Sequence, residues 1–191
     1  LDDARRTAER LFIPLTLGGG IRTADDVSLA LRAGADKVSI NSAAVSRPAV
    51  LDESASRFGS QCVVASIDAK REGGGWRVYT RGGRTRTELD AVEWARACVA
   101  HGAGEILLTS IDRDGTRSGY DLELTRAVAM AVDIPVVASG GAGSAEDVRD
   151  VFERGSADAA LVAGMLHDES TSVGAIKRLL SSAGIPVRGV E

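Results

Sequence analysis

The stretch IPLTLGGGIRTADDV begins at Ile13, and IPVVASGGAGSAEDV begins at Ile134, 121 residues later. Aligned, Gly19 falls on Gly140, Gly20 on Gly141, Val27 on Val148 and Gly34 on Gly155, and after one inserted residue Asp36 falls on Asp158. Each copy spells a short apolar run, a glycine turn, a capped helix and a second apolar run. Self-similarity at a fixed long period restricts the fold to architectures built from two equivalent halves.

The residues between the copies continue the same alternation. Strand candidates are Pro14–Leu17, Lys37–Ile40, Gln61–Ile67, Glu105–Ser110, Pro135–Ser139 and Ala159–Ala163. They are nearly unbroken apolar runs rather than alternating ones, as parallel strands covered on both faces require. Helical segments separate them, with Thr23, Ser144 and Asp121 as N-cap candidates. A series of this kind, with four strand–helix units per repeat of about 120 residues, predicts a (β/α)8 barrel of α/β class rather than a doubly wound sheet. Only six units are found in one domain spanning 1–191. The opening helix, with Leu1, Ala4, Ala8 and Leu11 as an apolar stripe, has no strand before it. An incomplete barrel lacking its first two units is therefore expected. One excursion, Arg71–Thr87, predicts a hairpin turning at Gly82-Gly83, carrying five arginines and Trp76.

The net charge of −4 argues against a general grip on nucleic acid. No apolar run is long enough for a membrane span and no signal-peptide pattern opens the chain, so a cytoplasmic protein is expected. Cys62 and Cys98 stand apart, as do His101 and His167, so neither a disulfide framework nor a metal site is predicted, and no cofactor.

In a barrel of this kind the chemistry collects where strands end. Those positions are Gly18-Gly19-Gly20, Asn41-Ser42, Asp68 with Lys70, then Thr109, Ser110, Asp112, Asp114 and Gly115, then Ser139-Gly140-Gly141 and Ala163-Gly164. Glycine turns let backbone N–H groups approach an anion closely. Each repeat copy sets its glycine turn beside a small-residue strand end. This predicts two phosphate pockets, Gly19, Gly20, Asn41 and Ser42 facing Gly140, Gly141, Ala163 and Gly164, and hence a bisphosphate ligand. Asp68 ends the apolar run VVASID, where burial would raise its pKa and suit it to acid–base work. The competing role is a structural pair with Lys70. By the 121-residue offset, a partner for Asp68 in the other half would fall before residue 1.

GGGIRTADDV, ADKVSINSAAV, VVASIDAKR, GAGEILLTSIDRDGTRSGYD and ASGGAG, in this order, resemble the cyclase subunits of imidazole glycerol phosphate synthase over the whole chain. The resemblance implies an enzyme of histidine biosynthesis. It would close a phosphoribulosyl-formimino aminoimidazole carboxamide ribotide with ammonia, yielding imidazole glycerol phosphate and aminoimidazole carboxamide ribotide. It implies Asp68 as general acid, with the general base on a first strand not found in these residues, so that low activity is expected. Gly20, Asn41 and Ser42 are implied at one phosphate, and Gly141, Ala163 and Gly164, with Asp114 and Gly115, at the other. Thr109, Ser139 and Lys70 would line the pocket. Asp36, Lys37 and Glu105, at strand starts, would form the docking face and ammonia gate for a glutaminase subunit. The related isomerase of the same pathway, and a phosphate-binding barrel piece without activity, are the alternatives.

Overall fold

The computed structural model describes residues 1–189. The chain runs α1 (Asp2–Ala8), β1 (Thr16–Gly18), α2 (Ala24–Arg32), β2 (Lys37–Ile40), α3 (Ser42–Ser46), α4 (Ala49–Phe58), β3 (Val63–Glu72), β4 (Gly75–Thr80), β5 (Thr85–Asp90), α5 (Ala91–Ala100), β6 (Glu105–Ser110), α6 (Leu122–Ala129), β7 (Val136–Ser139), α7 (Ala145–Glu153), β8 (Ala159–Ala160), α8 (Gly164–His167) and α9 (Val173–Ser182). A single 3-10 turn, Ser60–Cys62, leads into β3.

Strands β1, β2, β3, β6, β7 and β8 lie side by side in that order, and every neighbouring pair is parallel. This is the sequential order of a (β/α)8 barrel, and the fold is α/β. Among the described residues the sheet does not close between β1 and β8.

Strand alternation divides the sheet into two unlike faces. Val38, Ile40, Val63, Ala65, Ile67, Ile106, Leu108, Val136 and Ala138 are buried under the helices. The other face carries Ser39, Ser66, Asp68, Leu107, Thr109, Val137 and Ser139, all half-exposed. The helix-covered side holds the main core, joined by Val27, Val50, Leu51, Trp94, Cys98, Leu124 and Val128. A smaller cluster of Tyr120, Val148, Val151, Met165, Ile176 and Leu180 packs the last third.

The repeat survives as matched hydrogen bonds. Thr23 and Ser144 each form a capping box with the aspartate three residues on, Asp26 and Asp147. The Asp36 carboxylate accepts the Leu15 amide at 2.7 Å, and Asp158 accepts the Val136 amide at 2.9 Å. Leu15 and Val136 are themselves repeat partners, so each aspartate ties the start of one strand to the entry of the next.

Three expectations are corrected. The apolar stripe of α1 does not enter the core: the helix buries no residue, Leu1 is 59% and Leu11 36% exposed, and only Ala8 packs tightly, against Gly34. No described strand lies beneath it. The excursion at 71–87 is more than a hairpin. β3 itself runs on to Glu72, turns at Gly73-Gly74 into β4, and turns again at Arg81–Arg84 into β5. The glycine pair Gly73-Gly74 permits the first turn with left-handed backbone, a signal overshadowed by the similar pair downstream. Helices α3, α8 and α9 were not predicted; two are too short to show a period, and α9 follows a stretch rich in serine and threonine.

Candidate active site

The residues of the first predicted cradle come together. Gly19, Gly20, Asn41, Ser42 and Asp68 line one cleft of about 770 Å³ at the ends of β1 to β3. Gly19 and Gly20 take left-handed backbone, φ 93° and 76°, with open space beside both, so their backbone is accessible from the cleft. Arg22, Ser66, Arg47, Arg81 and Gly82 complete the lining. Glu53 pairs with Arg47, which leaves Arg22 and Arg81 against the Asp68 carboxylate and makes this a mildly electropositive hollow in a chain of net charge −4. None of these arginines stands among the residues expected here. Arg22 stands two positions beyond the glycine turn, whereas Arg81 comes from the β4–β5 turn, whose docking no local pattern reveals.

Asp68 marks a branch in the sheet rather than a strand end. It pairs with Thr109 of β6 in the parallel ladder and with Tyr79 of β4 in the antiparallel one. Thr109 in turn registers with Ser139 of β7. Parallel register gives residues of one row the same orientation, so Asp68, Thr109 and Ser139 form a polar row across three strands. Burial pushes the Asp68 carboxyl above its ordinary value; the Asn41 side-chain amide pulls it back, and the nearby Asp114 charge pushes it further up. Asn41 Nδ2 donates to Asp68 Oδ2 at 3.0 Å, while Asn41 Oδ1 is buried with no hydrogen-bond partner among the described residues.

The structural pairing of Asp68 with Lys70 does not occur. Lys70 is exposed, does not line the cleft, and lends its charge to Glu72 instead. Asp68 is therefore a half-buried carboxyl held by one amide N–H, with a raised proton affinity and access to the cleft.

The second cradle is more tightly built. Gly140 and Gly141 are again left-handed, φ 90° and 103°, but the loop after β6 packs against them. A side chain on Gly140 would come within 2.8 Å of the Ser110 carbonyl and 3.3 Å of Asp114, and one on Gly141 within 2.2 Å of the Gly119 carbonyl. The Gly119 amide donates to the Gly141 carbonyl at 2.8 Å, which fixes the loop bearing Asp114 and Gly115. Ala163 and Gly164 open α8, and the Arg117 guanidinium stands beside Gly164.

At the other end of the strands, Lys37 Nζ and Glu105 Oε2 are 2.5 Å apart and partly buried. Asp36 does not join them; its carboxylate holds the Leu15 amide. A second cleft of about 930 Å³, lined by Arg71, Asp121, Glu123 and Asp147 among others, takes in Asp112 alone of the polar strand-end residues singled out above. Its cations are engaged, with Arg71 bonded to Glu123 and stacked on Trp76 at 4.7 Å. Among the described residues no cluster of metal-binding side chains occurs, and no helix is long and apolar enough to cross a membrane.

The model of the family described as "Histidine biosynthesis protein" matches residues 1–172. The imidazole glycerol phosphate synthase subunit HisF of Myxococcus xanthus is 72% identical over 186 residues, 97% of this chain and 74% of that protein. The subunit of the same name from Geobacillus thermodenitrificans is 56% identical over 190 residues, 98% of this chain and 75% of that protein. The chain thus spans about three quarters of the length of these relatives. Glycine turns, strand order and close relatives agree that the chain belongs to the histidine biosynthesis proteins, within the HisF subunits of imidazole glycerol phosphate synthase.

Proposed function

We propose that this chain carries the bisphosphate-binding and acid-donating part of the cyclase reaction of imidazole glycerol phosphate synthase. In this reading its six units belong to an eight-unit barrel. The carrying observation is the cleft that joins Gly19, Gly20, Asn41 and Ser42 to Asp68 under three arginines. One phosphate sits on the first cradle and the other beside Gly164, with the sugar and imidazole portions spanning the row of Asp68, Thr109 and Ser139.

Ring closure on ammonia requires a group that gives a proton to the departing fragment. Asp68 suits this role, because burial keeps its proton to higher pH than an exposed carboxyl would. Asn41 links the parts: it flanks the phosphate cradle and donates to the acid. Among the described residues Asp68 is the one carboxylate that lines this cleft, so the proton given up on ring closure goes to a second group. Ammonia would enter from the strand-start end, where a glutaminase subunit docks and the Lys37–Glu105 pair guards the sheet interior.

The test is steady-state turnover with the bisphosphate and ammonium salt, alone and in the assembled synthase. Asp68→Asn should lower kcat by about 10²- to 10⁴-fold, the range of a single acid–base group, with KM little changed. An Asp68→Asn protein as active as its parent would overturn the assignment of the acid. Turnover by these residues at the rate of the Myxococcus xanthus subunit would overturn the need for a second group to take the proton.

A further inference from the structure

Among the described residues, four non-glycine positions take left-handed backbone: Arg81, Arg117, Ser156 and Glu169. This conformation brings Cβ against the following carbonyl, so it favours glycine. Two of the four are arginines, and each stands at a different cradle. Arg81, φ 55°, lines the cleft of Gly19, Gly20, Asn41 and Ser42. Arg117, φ 56°, places Nη2 3.5 Å and Nε 3.7 Å from the point where a Cβ would stand on Gly164.

Both arginine-bearing loops are fastened to the cradle they serve. The Arg81 amide donates to Ser42 Oγ at 3.0 Å across 39 residues of sequence, which leaves the Ser42 hydroxyl proton free to donate elsewhere. The Arg117 carbonyl would lie 2.3 Å from a Cβ on Gly143, so that loop is seated directly on the turn after β7. Among the described residues Arg81 has no carboxylate partner, while Asp168 holds Arg117 by one terminal nitrogen at 2.5 Å and leaves further N–H groups to bind. Backbone strain retained at a non-glycine residue calls for a function of its side chain.

We propose that Arg81 and Arg117 are paired phosphate clamps, one for each end of the bisphosphate, kept as arginine at backbone positions that favour glycine. The proposal rests on the reading of the two glycine turns as phosphate cradles. Neither arginine belongs to the glycine turns themselves; each arrives from a neighbouring loop, and each adds charge-assisted, forked hydrogen bonding where the turns offer only backbone donors.

The test replaces each arginine with the residue its backbone prefers. Inorganic phosphate is titrated into the ¹⁵N-labelled chain, with the Gly20 and Ser42 amides reporting one cradle and Gly164 the other. Arg81→Gly should weaken phosphate about tenfold at the first cradle only, and Arg117→Gly by a similar factor at the second only, the loss of about one charge-assisted hydrogen bond. Both variants should melt no lower than the parent, because the strain is relieved and the Arg117–Asp168 pair is exposed. Arg81→Lys should recover part of the affinity. If the parent chain shows no phosphate shift at either cradle, the phosphate reading fails and the clamps with it. If the parent binds and the glycine variants bind as tightly, the clamps alone are overturned. A glycine variant that melts lower would assign its arginine to loop structure, and would also overturn the proposal.

Discussion

Asp68 is protonated more readily in the folded chain than in the unfolded one, because burial disfavours its charge. The sign of its contribution to stability follows from linkage. Below the unfolded value of 3.8 both states hold the proton and nothing is lost; as pH rises through the raised folded value, ionisation favours the unfolded chain. Asp68→Asn should therefore stabilise the protein at neutral pH and lose that advantage as pH falls toward 3.8, read as the difference in urea midpoint between the two proteins. The acid would be bought with stability, as at other functional sites. Asp36 and Asp158 behave differently, each spending its carboxylate on one backbone amide. Asp36→Ala and Asp158→Ala should each cost about 1–3 kcal/mol by chemical denaturation, the loss of a charge-assisted hydrogen bond to the backbone. These residues show what is legible at the smallest scale. The 121-residue echo exposed Gly19, Gly20, Gly140 and Gly141 because their backbone conformation admits little else. It could not expose Arg81 or Arg117, since a left-handed arginine leaves no mark in the order of residues.

Among the elements, β3 with the β4–β5 extension is the most distinctive. Glu72 ties it together, accepting from Tyr79 Oη at 2.5 Å and from Arg86 Nε at 2.8 Å. These bonds, the Tyr79 one foremost, hold the Glu72 carboxyl below its ordinary value. The dependence is opposite to that of Asp68: its support is present above the unfolded value of 4.5 and is lost as pH falls through the depressed folded value. Trp76 lies on β4, so its fluorescence in a Trp94→Phe background should report the loosening of the extension on acidification before the main core opens. Glu72→Gln should remove that early change. Helix starts and buried strands were readable from the sequence because caps and apolar periods are local: Lys37–Ile40, Glu105–Ser110 and the N-caps Thr23, Asp121 and Ser144 fall where expected. The route of 71–90 was only half readable. Two glycine-rich turns compete for the same hairpin pattern, and the packing of its tip on Ser42 is a contact between distant segments.

For the whole molecule, the sheet's two faces differ in kind. The helix-covered face is closely packed, and the polar row lies on the half-exposed one. An anion held by either cradle would bind only the folded chain, so inorganic phosphate should raise Tm by mass action, by about 2.7 kcal/mol of stability per site at a concentration 100 times Kd, and added neutral salt should shrink the effect. Differential scanning fluorimetry with phosphate, with and without sodium chloride, measures this. The resemblance to HisF subunits was legible because long motifs keep their order across the chain, and the relatives bear it out at 72% and 56% identity.

The same dense core turns the two cysteines into reporters. Cys98 is fully buried in α5 and its thiol is pushed up to about 12 by burial, while Cys62, before β3, is 5% exposed and also raised. An alkylating reagent attacks the thiolate, so in neutral buffer neither site is modified until the surrounding layer opens. Labelling rates thus become clocks for opening, one on the entry to β3 and one on the helix across from it. Equal rates would mean that the sheet and its helical cover come apart as one cooperative unit; a faster Cys62 would time the fraying of the 3-10 turn alone.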